Sequence, residues 1–264
     1  MRIAWKAYAF FKRDLLVDLS YKLSFLFEAV HIFITVAAFF FLAGLLGAKS
    51  LQGYGAFPFI LIGLAVNAYM TTCLVCFTQV VRGAQVAGTL KAVLVTPTSA
   101  TEFLACSSLY PLARATLDAT VYGIGGIAFG LSLERINPLA TIVVFVASLF
   151  AFSSIGLLSA TFILIFKRGD PLLWLFGSSS WLLGGVMYPA DVLPHWLRRV
   201  AELLPITHAL RALRATLLGD ARMATVLPDI AVLTVYALVG LPVSMAVFNF
   251  GLKRARISGT LGHQ

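Results

Sequence analysis

Charged residues are scarce in this 264-residue chain, at 12% of the sequence against roughly 25% in an average soluble domain. Acidic residues are the scarcest, with 11 Asp and Glu against 20 Lys and Arg. Hydrophobic residues make up 60% of the chain, and its mean hydropathy is +0.93. This composition excludes an ordinary soluble domain. Because the apolar runs are long and continuous, rather than short and alternating as in a β-barrel, they predict an all-α membrane protein.

The sequence also lacks the motifs of a nucleotide-binding or catalytic protein. No G-x-x-x-x-G-K-[ST] phosphate-binding loop occurs, so we expect the chain not to bind ATP by that route. Cys73 and Cys76 have C-x-x-C spacing, but the only other cysteine is Cys106 and no histidine lies nearby. This favours buried thiols over a zinc or redox site. We therefore predict no catalytic residue, no metal site and no cofactor bound by this chain.

The net charge of +9 follows membrane topology and does not indicate a nucleic-acid partner, because Lys and Arg stand mostly at the ends of apolar runs. The charge distribution predicts that the N- and C-termini are cytoplasmic. The chain is predicted to be a multi-pass inner-membrane protein with a single domain, residues 1–264. The fifth apolar run, residues 171–187, is close to the shortest length that can cross about 30 Å of hydrocarbon. Six transmembrane helices are predicted, at roughly 23–46, 57–80, 103–131, 139–165, 171–187 and 230–252.

Some predicted spans contain polar residues. Arg114 and Asp118 are four residues apart in the third span, so they share a helix face and can neutralise each other. A charged pair at this depth should face protein or water, and the pattern leaves open whether it serves packing or a substrate path. Glu28 and His31 lie near the end of the first span, where local pairing is more typical than an ion site.

Two amphipathic segments lie outside the spans, on the predicted cytoplasmic side. Residues 1–22 mix aromatic and basic residues, which predicts an interfacial helix, although a solvated leader would also supply the charge. Residues 83–98 place Val86, Leu90, Val93 and Leu94 on one helical face. Such a helix is suited to contacting a cytoplasmic partner, and a helix resting on lipid would show the same periodicity.

A third amphipathic stretch, residues 189–219, precedes the last span. Apolar residues recur at helical spacing up to Pro205, which breaks the first helix, and a second helix is predicted to close at Gly219. Two short helices joined at a proline predict a hairpin that re-enters the outer leaflet. Arg211 and Arg214 are expected on the polar side of the second helix, where they could face phosphate headgroups or anionic substrates.

Two stretches resemble the type 2 ABC export permeases, which include bacterial drug, polysaccharide and lipid-linked glycan exporters. The first is similar to the family's cytoplasmic coupling helix, G-T-L-E-x-L-L-x-T-P, although Lys91 stands where that family usually has an acidic residue and Gln85 is neutral. It comprises Gly88, Thr89, Leu90, Lys91, Leu94, Thr96 and Pro97. The second is similar to the family's re-entrant segment before the last span, and comprises Gly185, Pro189, Leu193, Pro194, Trp196, Leu197, Leu204, Pro205 and Ala209 to Arg214.

The resemblance implies a half-transporter. A second copy of the chain would complete the path through the lipid bilayer, and separate ABC ATPase subunits that carry ATP and Mg would dock on the coupling helices. Two other functions remain open. An ion-coupled secondary transporter would use Arg114 and Asp118, with Glu28, as its ion site. A membrane-embedded enzyme acting on lipids would use His208, His195 or Asp191 at the interface.

Overall fold

The computed structural model describes residues 2–45, 51–86, 99–132, 136–166, 170–219 and 221–257. Within these ranges the chain folds into α-helices without a β-strand, which confirms the predicted all-α class. A short 3₁₀ turn covers Ala190–Val192. The α-helices are α1 (Arg2–Ser20), α2 (Lys22–Leu45), α3 (Ala56–Val86), α4 (Ala100–Ala128), α5 (Pro138–Phe166), α6 (Pro171–Leu182), α7 (His195–Ala201), α8 (Pro205–Leu218) and α9 (Met223–Ile257).

Helices α4, α5 and α6 begin at side chains that cap their free backbone N–H groups. The Ser99 hydroxyl accepts a hydrogen bond from the Glu102 N–H at 3.1 Å, and Asn137 Oδ1 accepts one from the Ala140 N–H at 3.2 Å. Asp170 caps α6 in the same way, with its carboxylate 2.9 Å from the Leu173 nitrogen. These caps satisfy N–H groups that have no partner inside the helix, and so fix where each helix begins.

Within the described residues, four helices are long and apolar enough to cross a membrane: residues 25–45 of α2, all of α3 and α5, and residues 223–254 of α9. The chain is therefore a multi-pass membrane protein by the length and composition of its helices. α4 has 29 residues, about 44 Å at 1.5 Å per residue, and is interrupted by charged side chains. α6 has 12 residues, about 18 Å, which is too short to cross the hydrocarbon alone.

The main core lies where α3, α5, α8 and α9 meet. Tyr69 of α3 stacks on Phe145 of α5 with ring centroids 4.4 Å apart, and Ile206 and Leu210 of α8 are almost fully buried against the same cluster. α6 joins through Ser180, whose hydroxyl lies 2.7 Å from Asn67 Oδ1 on α3. The serine hydroxyl therefore helps to pack α6 against α3.

Three predicted spans have clearly different limits in the structure. The second was expected to end at residue 80, but α3 continues to Val86 and so includes residues 83–86 of the predicted coupling helix. The fifth was expected to reach Met187, but α6 ends at Leu182, because Gly185 has a φ of +76° that a right-handed helix does not allow. The sixth was expected to begin near Ile230, but α9 begins seven residues earlier, at Met223, and continues through Pro228. A proline this close to the start removes only one intrahelical hydrogen bond, so the helix tolerates it.

Candidate functional site: the charged cluster and the hairpin

The predicted coupling helix lies almost wholly outside the described residues. α3 ends at Val86 and the next described residue is Ser99, which caps α4. The predicted coupling residues Gly88, Thr89, Leu90, Lys91, Leu94, Thr96 and Pro97 all fall in the intervening part of the chain. The structure therefore gives the two helices that this segment connects, and the role of the segment stays a prediction.

Arg114 lies at the centre of a charged cluster that joins three helices. Its guanidinium donates to Asp118 Oδ1 at 3.3 Å, so the pair expected from the four-residue spacing is present. It also donates to Asp18 Oδ2 of α1 at 2.9 Å and to Glu28 Oε2 of α2 at 2.7 Å. The Tyr110 hydroxyl donates to the same Asp18 oxygen. We call Asp18, Glu28, Tyr110, Arg114 and Asp118 the Arg114 cluster.

Three carboxylates surround one guanidinium in the Arg114 cluster, so the group carries a net negative charge when all four side chains are ionised. Arg114 is well shielded, with 13% of its side chain exposed, and its guanidinium carbon lies 4.1 Å from the centre of the Phe25 ring. A cation that bridges carboxylates on two other helices fastens α1 and α2 to α4. Helical spacing identified the Arg114–Asp118 pair. Glu28 was expected to pair locally but contacts Arg114, 86 residues away. Asp18 was not predicted at all, since it lies 96 residues from Arg114 and outside the predicted spans.

α1 also packs along the first half of α4. Lys6 donates to Glu102 at 2.9 Å, and Phe10 meets Phe103 edge to face with ring centroids 5.7 Å apart. The hydrogen bond from Lys6 lowers the pKa of the Glu102 carboxyl, since it favours the ionised form. The predicted interfacial helix is thus attached to the part of α4 that directly follows the predicted coupling segment.

The predicted hairpin contains the two short helices, α7 and α8. α8 begins at Pro205, the residue expected to break the first helix, and Leu204 is its buried N-cap. Leu193 and Pro194 separate the 3₁₀ turn from α7, and Pro189 caps the turn. Trp196 on α7 is 68% exposed, and Val200 and Leu203 are exposed beside it, so this helix presents an apolar surface.

The expected exposure of Arg214 is wrong. Only 5% of Arg214 is exposed, and its guanidinium donates to the carbonyl oxygens of Gly185, Val186 and Phe59 at 2.9, 3.0 and 3.0 Å. The guanidinium carbon also lies 3.4 Å from the centre of the Phe59 ring. No carboxylate lies within ion-pair distance of Arg214 in the part of the chain that the structure describes. We call these three carbonyls and the ring the Arg214 socket.

The Arg214 socket holds the hairpin against α3 through backbone carbonyl oxygens. The helical periodicity of the sequence does not reveal such contacts, so it placed Arg214 on the polar side of the helix. The socket depends on Gly63 of α3, because a Cβ there would overlap the Val186 carbonyl oxygen and lie 2.9 Å from Arg214 Nη2. Arg211, the other arginine predicted on this face, behaves as expected. Its side chain is 54% exposed, and its Nε lies 3.6 Å from Asp229 Oδ1 of α9.

His208 lies inside the protein, whereas the sequence analysis considered it at the membrane interface. Its Nδ1 is 2.7 Å from Asp229 Oδ1 and its Nε2 is 2.9 Å from the Glu202 carbonyl oxygen. Both ring nitrogens therefore have partners within the protein. Asp191, another residue of that hypothesis, accepts from Gln52 at 2.7 Å and pairs with Arg198 at 2.9 Å. These contacts fasten the hairpin to α9 and to the loop before α3.

The loops that contact the hairpin place it at one end of the helix bundle. Gln52 precedes α3, and Asn137 precedes α5, where its N–H donates to the Thr216 carbonyl oxygen at 3.0 Å. Both residues lie at the start of a long helix. The segment between α3 and α4 leaves from the far end of α3, about 46 Å away at 1.5 Å per residue. The hairpin and the predicted coupling segment are therefore attached to opposite ends of α3.

A cavity of about 940 Å³ opens between α1, α3 and α4, on the side of the predicted coupling segment. Arg13, Asp14 and Gln79 contribute polar groups to its wall, while Phe10 and Phe103 contribute aromatic rings. Ser107 also lines it, and its buried hydroxyl makes no hydrogen bond to the described residues. The cavity therefore combines apolar and polar surface, as a site for an amphipathic molecule would.

The cysteines are buried, as expected. The Cys76 thiol donates to the Cys73 carbonyl oxygen at 3.2 Å, and Cys106 lies apart on α4. Among the described residues, no group of His, Cys, Asp and Glu side chains could hold a metal ion.

Two comparisons with known proteins bear on the chain. The family model described as ABC-2 type transporter matches residues 7–218, which extend from α1 to the last residue of α8. No curated protein matches the sequence.

Proposed function

Since the chain belongs to the ABC-2 type transporter family, we propose that it is the transmembrane subunit of an ATP-driven exporter. Two copies form the translocation path, and separate ABC ATPase subunits bind ATP and Mg and drive it. Permeases of this family pair with an ABC ATPase subunit and are transport components rather than enzymes. The chain's own role is to bind that subunit, to change conformation with it, and to carry substrate through the inner membrane.

The attachment of the hairpin and of segment 83–98 to opposite ends of α3 is the observation that carries this proposal. An exporter needs its ATPase on the cytoplasmic side and its exit on the other side. In the proposed topology six helices cross the membrane, with both termini and segment 83–98 in the cytoplasm. Of these six helices, α4 and α6 lack an apolar stretch long enough to cross the membrane alone. α6 forms the fifth crossing, and the hairpin that follows it completes this crossing by re-entering the outer leaflet.

Contacts along α4 support a route from the ATPase to the rest of the permease. α4 starts at Ala100, directly after segment 83–98, and its first half binds α1 through Glu102 and Phe103. About three turns further on, Arg114 binds Asp18 of α1 and Glu28 of α2. When ATP-driven closure of the partner moves segment 83–98, α4 carries α1 and α2 with it, because these contacts are charged, partly buried and shared by three helices.

The substrate class follows from the surfaces at both ends of the bundle. The 940 Å³ cavity combines charged, amide and aromatic side chains, which suits an amphipathic, lipid-linked or glycan-type molecule. At the other end, exposed Trp196, Val200 and Leu203 are suited to acyl chains of the outer leaflet. α2 and α9 expose apolar side chains along much of their length, and a second copy of the chain together with lipid covers this surface.

A pull-down from the native host in mild detergent tests the proposal. We expect an ABC ATPase subunit to co-purify at one copy per permease, and the double substitution Leu90→Asp and Leu94→Asp to abolish this. The control is Ala92→Asp, which adds one negative charge, where the double variant adds two, on the opposite face of the predicted helix. Normal complex formation by the double variant would refute the docking assignment, provided that it is inserted and dimeric like the control.

The surplus of carboxylates in the Arg114 cluster favours one alternative, an ion-coupled secondary transporter that uses Arg114 and Asp118. Three carboxylates around one guanidinium leave acidic groups that could take up a proton or another cation. Reconstitution of the purified chain without an ATPase separates the two functions. Transport on a proton gradient alone would support the alternative, whereas transport only with the ATPase and ATP supports the exporter.

A further inference from the structure

A second cavity, of about 380 Å³, lies within one protomer between α3, α4, α5 and α8. Its wall is almost entirely apolar and includes Ile62, Tyr69, Gly123, Phe145 and Leu213. No charged residue of the described chain lines it. The cavity is separate from the 940 Å³ cavity and from the Arg114 cluster, neither of which shares a lining residue with it. The proposed export function does not use it.

The cavity lies towards the hairpin end of the bundle. Leu213 and Leu217 of α8 contribute to its wall, as does Thr141 in the first turn of α5. Ile142 and Thr120, which also line it, are exposed on the outside of α5 and α4. The cavity therefore opens between these two helices at the surface of the protomer, where an uncharged molecule dissolved in the membrane could enter it.

The Tyr69 hydroxyl gives this cavity a polar group without a partner. Tyr69 is only 2% exposed, and its hydroxyl makes no hydrogen bond to any described residue. Thr116 lines the same wall, but its hydroxyl donates to the Leu112 carbonyl oxygen at 3.0 Å and does not meet Tyr69 in hydrogen-bonding geometry. A buried hydroxyl without a partner is unfavourable, so this hydroxyl would gain from an acceptor that enters the cavity.

We propose that this cavity binds an uncharged, mainly hydrocarbon molecule that carries a carbonyl group, and that Tyr69 donates a hydrogen bond to that carbonyl. The volume is within the range of about 300–1,000 Å³ found for small-molecule sites. Among the described residues the lining offers no charged partner, so an uncharged ligand suits the cavity better than an ion, whose charge would be left unpaired.

Two sources could supply such a ligand: the ester-linked acyl chain of a membrane lipid, or a free apolar carbonyl compound. Benzophenone is a suitable probe, because it is uncharged and apolar, carries one carbonyl group and inserts into neighbouring C–H bonds when illuminated. The permease is photolabelled as the full complex in nanodiscs over a series of benzophenone concentrations, and the labelled peptides are identified by mass spectrometry. Nanodiscs of diester phosphatidylcholine are compared with nanodiscs of diether phosphatidylcholine.

Tyr69→Phe removes a single oxygen atom and keeps the ring that stacks on Phe145, so the variant is expected to fold. Gly123→Leu fills the cavity, because no atom lies within 4 Å of a Cβ at this position. The matched control is Tyr8→Phe, which removes the same oxygen from an exposed ring on α1, away from the cavity. Tyr69→Phe thus tests the hydrogen bond and Gly123→Leu tests the space in the cavity. Tyr8→Phe shows the effect of removing a tyrosine hydroxyl elsewhere.

We expect saturable labelling of peptides from α3 and α4 in the parent protein and in Tyr8→Phe. Tyr69→Phe should raise the half-saturating concentration about two- to tenfold, the range for one neutral hydrogen bond. Gly123→Leu should abolish saturable labelling. Weaker labelling in diester than in diether nanodiscs assigns the site to lipid esters, and equal labelling assigns it to a free compound. Unchanged half-saturation in Tyr69→Phe, saturable labelling in Gly123→Leu, or label confined to other peptides would overturn the proposal.

Discussion

Arg214 offers the sharpest test of how the hairpin is held, because its partners are backbone carbonyl oxygens. Replacing Arg214 with Met keeps an unbranched side chain of similar length and removes the guanidinium. The carbonyl oxygens of Gly185, Val186 and Phe59 then lose their donors inside the protein. We expect the hairpin to separate from α3 and from the turn that follows α6, since the Arg214 socket joins these parts.

The size of the effect follows from two opposing contributions. A hydrogen bond from a charged donor contributes about 1.5–3 kcal/mol, so three of them give roughly 6 kcal/mol. The buried guanidinium has no carboxylate partner in the described chain, and removing it relieves a desolvation cost of several kcal/mol, which offsets about half of that loss. The net loss in the free energy of unfolding is therefore about 3 kcal/mol, equivalent to a melting temperature lower by about 6–12 °C.

Thermal unfolding of the detergent-solubilised permease, followed by tryptophan fluorescence, measures this difference. Arg211→Met is the matched control, because the same substitution one turn away removes a half-exposed guanidinium 3.6 Å from Asp229. We expect the control to lose less than about 1 kcal/mol, because Arg211 is half exposed and Asp229, which is buried, keeps its contact with His208. If Arg214→Met unfolded at the parent temperature, or if both variants lost the same amount, the Arg214 socket would not hold the hairpin.

Two further substitutions test neighbouring contacts. Gly63→Ala should lower the melting temperature, because its Cβ overlaps the Val186 carbonyl oxygen; Gly83→Ala, on the same helix with no atom within 4 Å, should not. Equal unfolding temperatures for the two would argue against the close approach at Gly63. Arg114→Gln should release α1, because three carboxylates lose their shared cation, and limited proteolysis should then cut α1 faster. Arg13→Gln, which removes an exposed pair with Asp14, is the control; equal cleavage rates would contradict the role of Arg114.

Structural features that are set by residues close together in the sequence were predictable. The long helices follow from uninterrupted apolar runs, the break before α8 follows from Pro205, and the Arg114–Asp118 contact follows from helical spacing. The all-α class and the family followed from the same local patterns. α6 was predicted too long, because its apolar run continues to Met187 although Gly185 turns the chain into a left-handed conformation.

Contacts between distant parts of the chain were not predictable. Asp18 reaches Arg114 across 96 residues, and no periodicity within α1 distinguishes it from the other acidic residue there, Asp14. Arg214 was placed on the exposed face because a charged side chain in an amphipathic pattern normally lies there. Its true partners are carbonyl oxygens, which every residue possesses, so no residue type in the sequence marks the Arg214 socket.

The order of the Arg214 contacts along the chain has a consequence for biosynthesis. The carbonyl oxygens that receive Arg214 belong to residues 59, 185 and 186, all of which the ribosome makes before Arg214. His208, on the same helix, depends on Asp229, which is made later. As domains fold progressively during synthesis, α8 can bind α3 as soon as it emerges, before the last helix is inserted. A truncated chain that ends shortly after Gly219 would therefore already contain the complete Arg214 socket.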